Sequence, residues 1–197
     1  MKELLVATAN QGKVREIRAL LQDIRINLLT PEDLNLFIDV KEDGLTYAEN
    51  ASKKAQIFAR ASGMLTMSDD SGLEVEVLNG APGIFSARYA PQVGPTDADR
   101  RVYLLQQLSP YPRPWVARFH CLVALASPDG AVHFSEGVCQ GEITPQERGM
   151  NGFGYDPIFL IPELGRTMAE LDMNEKNRLS HRAQAVLAIR PVLLSLL

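Results

Sequence analysis

Four acidic side chains, Glu42, Glu49, Asp69 and Asp70, fall in a polar loop, at a helix start and at a strand end, from which they could converge on one cleft. Clustered carboxylates repel unless a divalent cation or a basic partner neutralises them. Mg²⁺ typically takes one or two carboxylates together with waters and substrate phosphate oxygens. A second feature is the turn Thr8-Ala9-Asn10-Gln11-Gly12-Lys13, which follows an apolar run and precedes a helical pattern. Free N–H groups and the positive end of the helix dipole would meet an anion there, and Lys13 adds a point charge. The turn lacks the glycine and Lys-Ser/Thr spacing of a Walker A loop, and a plain turn ahead of a helix explains it equally well.

Each of these residues also has a purely structural account. Glu49 fits a capping box with Thr46, and the aspartates fit turn or cap positions. Lys53 and Lys54 lie on the helix that Glu49 opens, near enough for one lysine to reach the same anion, although such lysines are usually solvated. Ser180-His181-Arg182 reads as a helix start with surface residues behind it. The glycines before Phe153-Gly154-Tyr155-Asp156 leave room for a flat ligand, on which Phe153 or Tyr155 could stack while Asp156 or main-chain groups read its edge. The two aromatics also fit alternating strand positions.

These residues need a scaffold, and the hydrophobic pattern supplies one. Leu4 to Val6 predict a buried strand, and Val14, Ile17, Leu21 and Ile24 a helix. Ile26 to Leu29 predict a strand, Asp39 to Gly44 a loop, and Tyr47 to Ser62 a helix stopped by Gly63. Met64 to Ser68 predict a strand that ends at the paired aspartates, with Leu73, Val75 and Val77 alternating after it. Asn79 to Tyr89 read as an ordered loop and Asp97 to Leu108 as a helix. Trp115 to Ala126 form a long strand joined through Pro128-Asp129-Gly130 to a partner around Val132 to Phe134. Ile158 to Ile161 predict a further strand, Thr167 to Glu170 a second capping box, and the chain ends in a helix that Pro191 should kink or interrupt. Strands alternating with helices, plus one hairpin, imply an α/β fold with a mixed sheet and a cleft at the strand ends.

Composition narrows the function classes. The 197 residues carry 20 Lys and Arg against 24 Asp and Glu, a net charge of -4, which argues against a nucleic-acid partner, as does the lack of a basic run with interleaved aromatics. Two cysteines, Cys121 and Cys139, sit in strand-like stretches and read as reduced core residues. No apolar run approaches bilayer length and no secretory signal is evident, so a soluble cytoplasmic protein with no membrane association is expected.

Together the segments Thr8 to Lys13, Leu45 to Ala51, Asp69 to Leu73, Ala81 to Tyr89, Gly152 to Pro157 and Leu179 to Arg182 resemble the inosine triphosphate pyrophosphatase, or Ham1-like, family. The six lie in family order, spread from residue 8 to residue 182, and the resemblance covers nearly the whole chain. The resemblance implies one ITPase-like domain over residues 1–197, a mixed twisted sheet flanked by helices, an elongated two-lobed shape with a central cleft, and a homodimer. It also implies a Mg²⁺-dependent enzyme that hydrolyses deaminated purine triphosphates (ITP, dITP, XTP) to monophosphate and pyrophosphate. Carried over by position, Thr8, Ala9, Asn10, Gln11, Gly12 and Lys13 would hold phosphates, with Lys54 assisting and Ser71 also binding substrate. Glu42 and Asp70 would bind Mg²⁺, supported by Glu49 and Asp69, and Asp70 would be the general base. Phe153, Gly154, Tyr155, Asp156, Lys176, His181 and Arg182 would form the base pocket.

Two departures from the family pattern stand out. Ala9 stands where Gly is usual, so a left-handed backbone there would cost energy, and Met150-Asn151 replaces part of a glycine run. Two other readings are a Maf-like pyrophosphatase, against which Ser180-His181-Arg182 argues, and a silent nucleotide sensor, in which an acidic ligand would be lost. All four acidic residues are present.

Overall fold

The computed structural model describes residues 2–197. An open, mixed sheet of seven strands runs in the order β2-β1-β3-β4-β5-β6-β7: β1 Lys2–Val6, β2 Ile26–Leu29, β3 Thr66–Val75, β4 Trp115–Ala126, β5 Val132–Ile143, β6 Phe159–Ile161 and β7 Arg166–Thr167. β1 pairs in parallel with β2 and β3, whereas β6 pairs antiparallel with β5 and β7. Among the described residues the α-helices are α1 Gln11–Leu20, α2 Tyr47–Ser62, α3 Asp97–Leu108, α4 Met173–Leu179 and α5 His181–Leu196, with short 3-10 turns between elements. Two compact units result. One comprises residues 1–70, 121–137 and 181–197, and the other residues 71–120 and 138–180.

In the first unit, strand alternation sorts side chains onto two faces. Leu4, Val6, Met67, Cys121, Val123 and Leu125 pack with Ile17 of α1 and Ala185, Val186 and Ile189 of α5. The opposite parity goes to α2: Ala124 and Ala126 meet Ala51, Ala55 and Ala59, and Leu5 and Ala7 meet Phe58. Leu34, Leu36, Ile38 and Val40 pack against this last group at every second residue, so the segment before Glu42 is tied to the core although it has no regular structure. The second unit has its own core, in which Phe119, Phe159, Leu104, Leu108 and Met168 are central.

Several expected boundaries move. The strand that was to end at the aspartates continues to Val75, so Asp69 and Asp70 lie inside it, and Val77 falls in a short 3-10 turn. The hairpin partner reaches Ile143, Ile158 belongs to a 3-10 turn ahead of β6, and the capping box Thr167 to Glu170 starts a 3-10 turn instead of a longer helix. Pro191 does not interrupt α5. The carbonyl deprived of its donor belongs to Leu187, a residue on the exposed side that water can reach. Cys121 and Cys139 are free, buried thiols. Burial pushes both up, Cys139 to about 11, so neither is a thiolate near neutrality. Among the described residues no helix is long and apolar enough to cross a membrane.

Candidate active site

The turn between β1 and α1 is shaped by Asn10, the N-cap of α1, whose side chain accepts from Gly12 N at 2.8 Å and Lys13 N at 3.2 Å. Asn10 N in turn donates to Thr8 Oγ1. Among the described residues, the N–H groups of the turn left without a partner are therefore those of Ala9 and Gln11, both exposed. Ala9 is not among the residues with positive φ, so the alanine there carries no left-handed strain.

Asp69 and Asp70, adjacent in β3, point to opposite faces and do different work. Asp69 follows Met67 toward α1 and α5, where it is fully buried. Its Oδ2 accepts from Arg182 Nε and Nη2 at 3.1 Å each and lies 3.0 Å from Lys13 Nζ. Arg182 continues the chain of charges through Nη1 to Glu16 Oε2 at 2.5 Å. Burial alone would raise the Asp69 pKa, but the charges of Lys13, Arg182 and Lys54 reverse it and hold the carboxyl well below the usual range. Two carboxylates and two cations thus alternate through the first unit, ending at Lys13 beside the turn.

Asp70 faces α2, where its Oδ2 accepts from Asn50 Nδ2 at 3.0 Å. Asn50 Oδ1 accepts from Gly44 N at 2.9 Å, so this residue fixes the loop and the aspartate together. A Cβ at Gly44 would come within 2.7 Å of that oxygen, which is why the loop needs glycine there. Burial is the main cause that raises the Asp70 pKa, and the Glu42 charge adds to it against the opposing effects of Asn50, Lys13 and Lys54. Lys54, on the same face, makes a short ion pair with Glu42. Its burial would lower its pKa, yet Glu42, Asp69 and Asp70 outweigh that and keep it charged. Beside this group a cavity of about 630 Å³ is lined by Thr8, Ala9, Gln11, Glu42, Lys54, Phe58 and the apolar segment around Phe37.

The structure therefore gathers Lys13, Glu42, Lys54 and Asp70 but does not assemble the four carboxylates. Among the described residues no three acidic, His or Cys side chains meet closely enough to hold a metal. Asp69 is turned the other way by strand parity, and Glu49 is exposed, accepting from Leu45 N at 2.6 Å while Thr46 caps the Glu49 N–H. Arg182, assigned to the base pocket by resemblance, is 2% exposed and directs its guanidinium to Asp69 and Glu16. His181, the first residue of α5, is buried too. Glu16 and Asn50 were missed in the sequence. Asn50 lies within a family-like segment, but nothing marks Glu16 apart from an ordinary polar position on α1. Glu42 and Asp70 do fit a Mg²⁺ ion: they are two hard-oxygen donors, and the charge of one already disfavours that of the other in a desolvated setting.

In the second unit, Asp156 and Lys176 form a buried ion pair at 2.6 Å. Asp156 Oδ2 also accepts from Phe153 N at 2.9 Å, and Lys176 Nζ lies 5.3 Å from the centre of the Phe153 ring. Gly152 is left-handed at φ +75, and a Cβ there would come within 2.0 Å of the Asp156 carboxylate, so the turn closes only with glycine. The Tyr155 hydroxyl donates to Ser86 O at 2.9 Å and its ring is buried, which orients Tyr155 into the core. Ser71, the first residue of this unit, is partly buried in β3.

Comparison with known proteins extends over the whole chain. The model of the Ham1 family matches residues 4–192. A dITP/XTP pyrophosphatase of Desulforamulus reducens is 44% identical, covering 93% of this chain and 92% of its own. That of Geobacter sulfurreducens is also 44% identical, with 96% of each covered. Among solved structures, a HAM1 protein from Coxiella burnetii superimposes with a TM-score of 0.88 at 41% identity, covering 99% of this chain and 100% of the other. The Staphylococcus aureus Ham1 protein gives 0.85 at 38%, covering 98% and 99%. Sequence and fold agree along nearly the full length, and the chain belongs to the Ham1 family.

Proposed function

We propose that the protein hydrolyses deaminated purine nucleoside triphosphates (ITP, dITP and XTP) to the monophosphate and pyrophosphate. The observation that carries this reading is the meeting of Lys13, Lys54, Glu42 and Asp70 beside the start of α1, where two lysines, paired with Asp69 and Glu42, supply positive charge for phosphate oxygens and the buried Asp70 carboxylate can take a proton. The names of the relatives support the substrate class.

The phosphates lie along the turn Thr8 to Lys13, taking the N–H groups of Ala9 and Gln11, the positive end of α1 and the Lys13 ammonium. Lys54 neutralises a further phosphate oxygen. Asp70, whose basicity is raised by burial, takes the proton of a water that attacks the α-phosphorus in line, and pyrophosphate leaves against the two lysines. Glu42 and Asp70 would hold Mg²⁺, which when bound would offset triphosphate charge. Glu49 supports the loop that carries Glu42, and Asp69 aims Lys13. The base is received in the second unit at the turn Phe153-Gly154-Tyr155-Asp156 with Lys176 and Ser71, where Tyr155 anchors the turn through its hydroxyl on Ser86 O. Donors there favour a 6-oxo acceptor over the 6-amino donor of adenine. Arg182 serves through Asp69 more directly than through the base. Residues 1–197 act as one catalytic domain, in a cytoplasmic homodimer.

Pyrophosphate release with Mg²⁺ is the test. ITP, dITP and XTP should exceed ATP in kcat/KM by at least about a hundredfold, as polar recognition of the 6-position provides, with GTP, which shares the 6-oxo group, reporting separately on the 2-position. Equal rates on all would end the base-pocket reading, and no release would favour a sensor. Light scattering checks the dimer.

A further inference from the structure

The turn 153–156 is gripped from one face of α3. Asp97, the first residue of that helix, accepts the Gly154 N–H through Oδ2 at 2.6 Å, and Arg101, one turn later, donates through Nη1 to the Gly154 carbonyl at 2.8 Å. The i, i+4 spacing brings both side chains to the same side of the helix. One helix face thus engages both main-chain polar groups of a single glycine.

The gripping side chains are fixed in turn. Arg101 Nε and Nη2 reach the two carboxylate oxygens of Glu147 at 2.8 and 3.0 Å, and its side chain is only 12% exposed. Asp97 Oδ1 is held by Arg100, which also donates to the carbonyls of Ala87 at 3.0 Å and Pro95 at 2.6 Å. A capping box between Thr96 and Asp99 sets the first turn of the helix. The gripped segment needs such support. Gly152 and Gly154 both have positive φ, and glycine has little conformational preference of its own.

We propose that Asp97 and Arg101 are positioning residues that set base specificity, an inference that rests on the assignment of the base to residues 153–156. Beside a purine edge, an uncovered Gly154 carbonyl would accept from the 6-amino group of adenine. Arg101 occupies that carbonyl. Asp97 occupies the N–H, and together they fix the backbone from which Phe153 presents its ring. The clamp therefore removes an acceptor that would reward the wrong base and holds the stacking surface still for the right one.

The test compares pyrophosphate release from ITP and ATP by the parent, Arg101→Met, Arg101→Lys, Asp97→Ala and Asp97→Asn, with a thermal unfolding curve for each. Loss of one clamping hydrogen bond in Arg101→Met or Asp97→Ala should raise KM for ITP about tenfold with little change in kcat, and lower the ITP/ATP ratio of kcat/KM by a similar factor. Asp97→Asn keeps an acceptor for Gly154 N–H and should restore KM toward the parent value. Arg101→Lys keeps one donor and should fall between parent and Met, and it decides the matter if Arg101→Met does not fold. Unchanged KM and ratio would overturn the proposal, as would an equal loss of kcat on both substrates. A parent that fails to prefer ITP over ATP would instead refute the base-pocket reading, so the two failures are distinguishable.

Discussion

Arg182→Met tests whether this arginine serves the charge network or the substrate. The guanidinium is 2% exposed and donates to Asp69 through Nε and Nη2 and to Glu16 through Nη1. Methionine fills much of the volume but leaves Asp69 with Lys13 as its cationic partner and deprives Glu16 of the guanidinium. Breaking a buried ion pair from one side costs about 3–5 kcal/mol, because a desolvated charge remains behind. For a chain of this size each kcal/mol is worth roughly 2–4 °C, so a fall of roughly 6–20 °C in the unfolding midpoint is expected.

Urea unfolding followed by circular dichroism gives the free-energy change directly. The penalty should hold near neutrality, because the Asp69 pKa is depressed in the fold. Stability from such a carboxylate is present above its ordinary value of 3.8 and lost as pH falls through the folded-state value. In Arg182→Met the carboxyl is less depressed and protonates sooner, so the gap from the parent should narrow below 3.8. Adding Glu16→Gln should cost less in that background than in the parent, by about 1–3 kcal/mol, as expected for two residues in one network. A loss under about 1 kcal/mol combined with a large rise in KM for ITP would refute this reasoning and return Arg182 to the base pocket.

Two further predictions follow from the same geometry. Asp70→Asn should abolish pyrophosphate release yet stabilise the EDTA-treated protein at neutral pH, since a carboxyl whose pKa is raised by burial opposes folding once ionised; the gain should vanish as pH falls toward 3.8 in thermal scans, and a loss of stability at pH 7 would contradict it. Gly137→Ala would bring a Cβ within 2.2 Å of His181 O and 2.7 Å of Ala185 N, both backbone atoms of α5. It should cost about 1–3 kcal/mol or more in urea unfolding, and a neutral result would mean that α5 can shift away from β5.

Much of the scaffold was legible because it is local. Apolar spacing, Thr46 and Gly63 define α2 from Tyr47 to Ser62, and the ends of α3 and β4 follow from similarly short-range signals. The family segments likewise marked Lys13, Asp70 and Phe153 to Asp156 without any coordinates. What those residues do was decided by tertiary structure, because partner choice spans large separations along the chain. Asp69 and Asp70 are neighbours of the same type, and only the extension of β3 past them sends one to Arg182, 113 positions away, and the other to Asn50. Glu16 gains a role only where α5 packs against α1, and Asp97 and Arg101 gain theirs only where α3 meets Gly154. Sequence spacing reports which side chains share a face of one element. Which charge lies opposite them, and hence which carboxylate meets Asn50 and which becomes a buried counter-ion to Arg182, depends on packing between elements that no local pattern encodes.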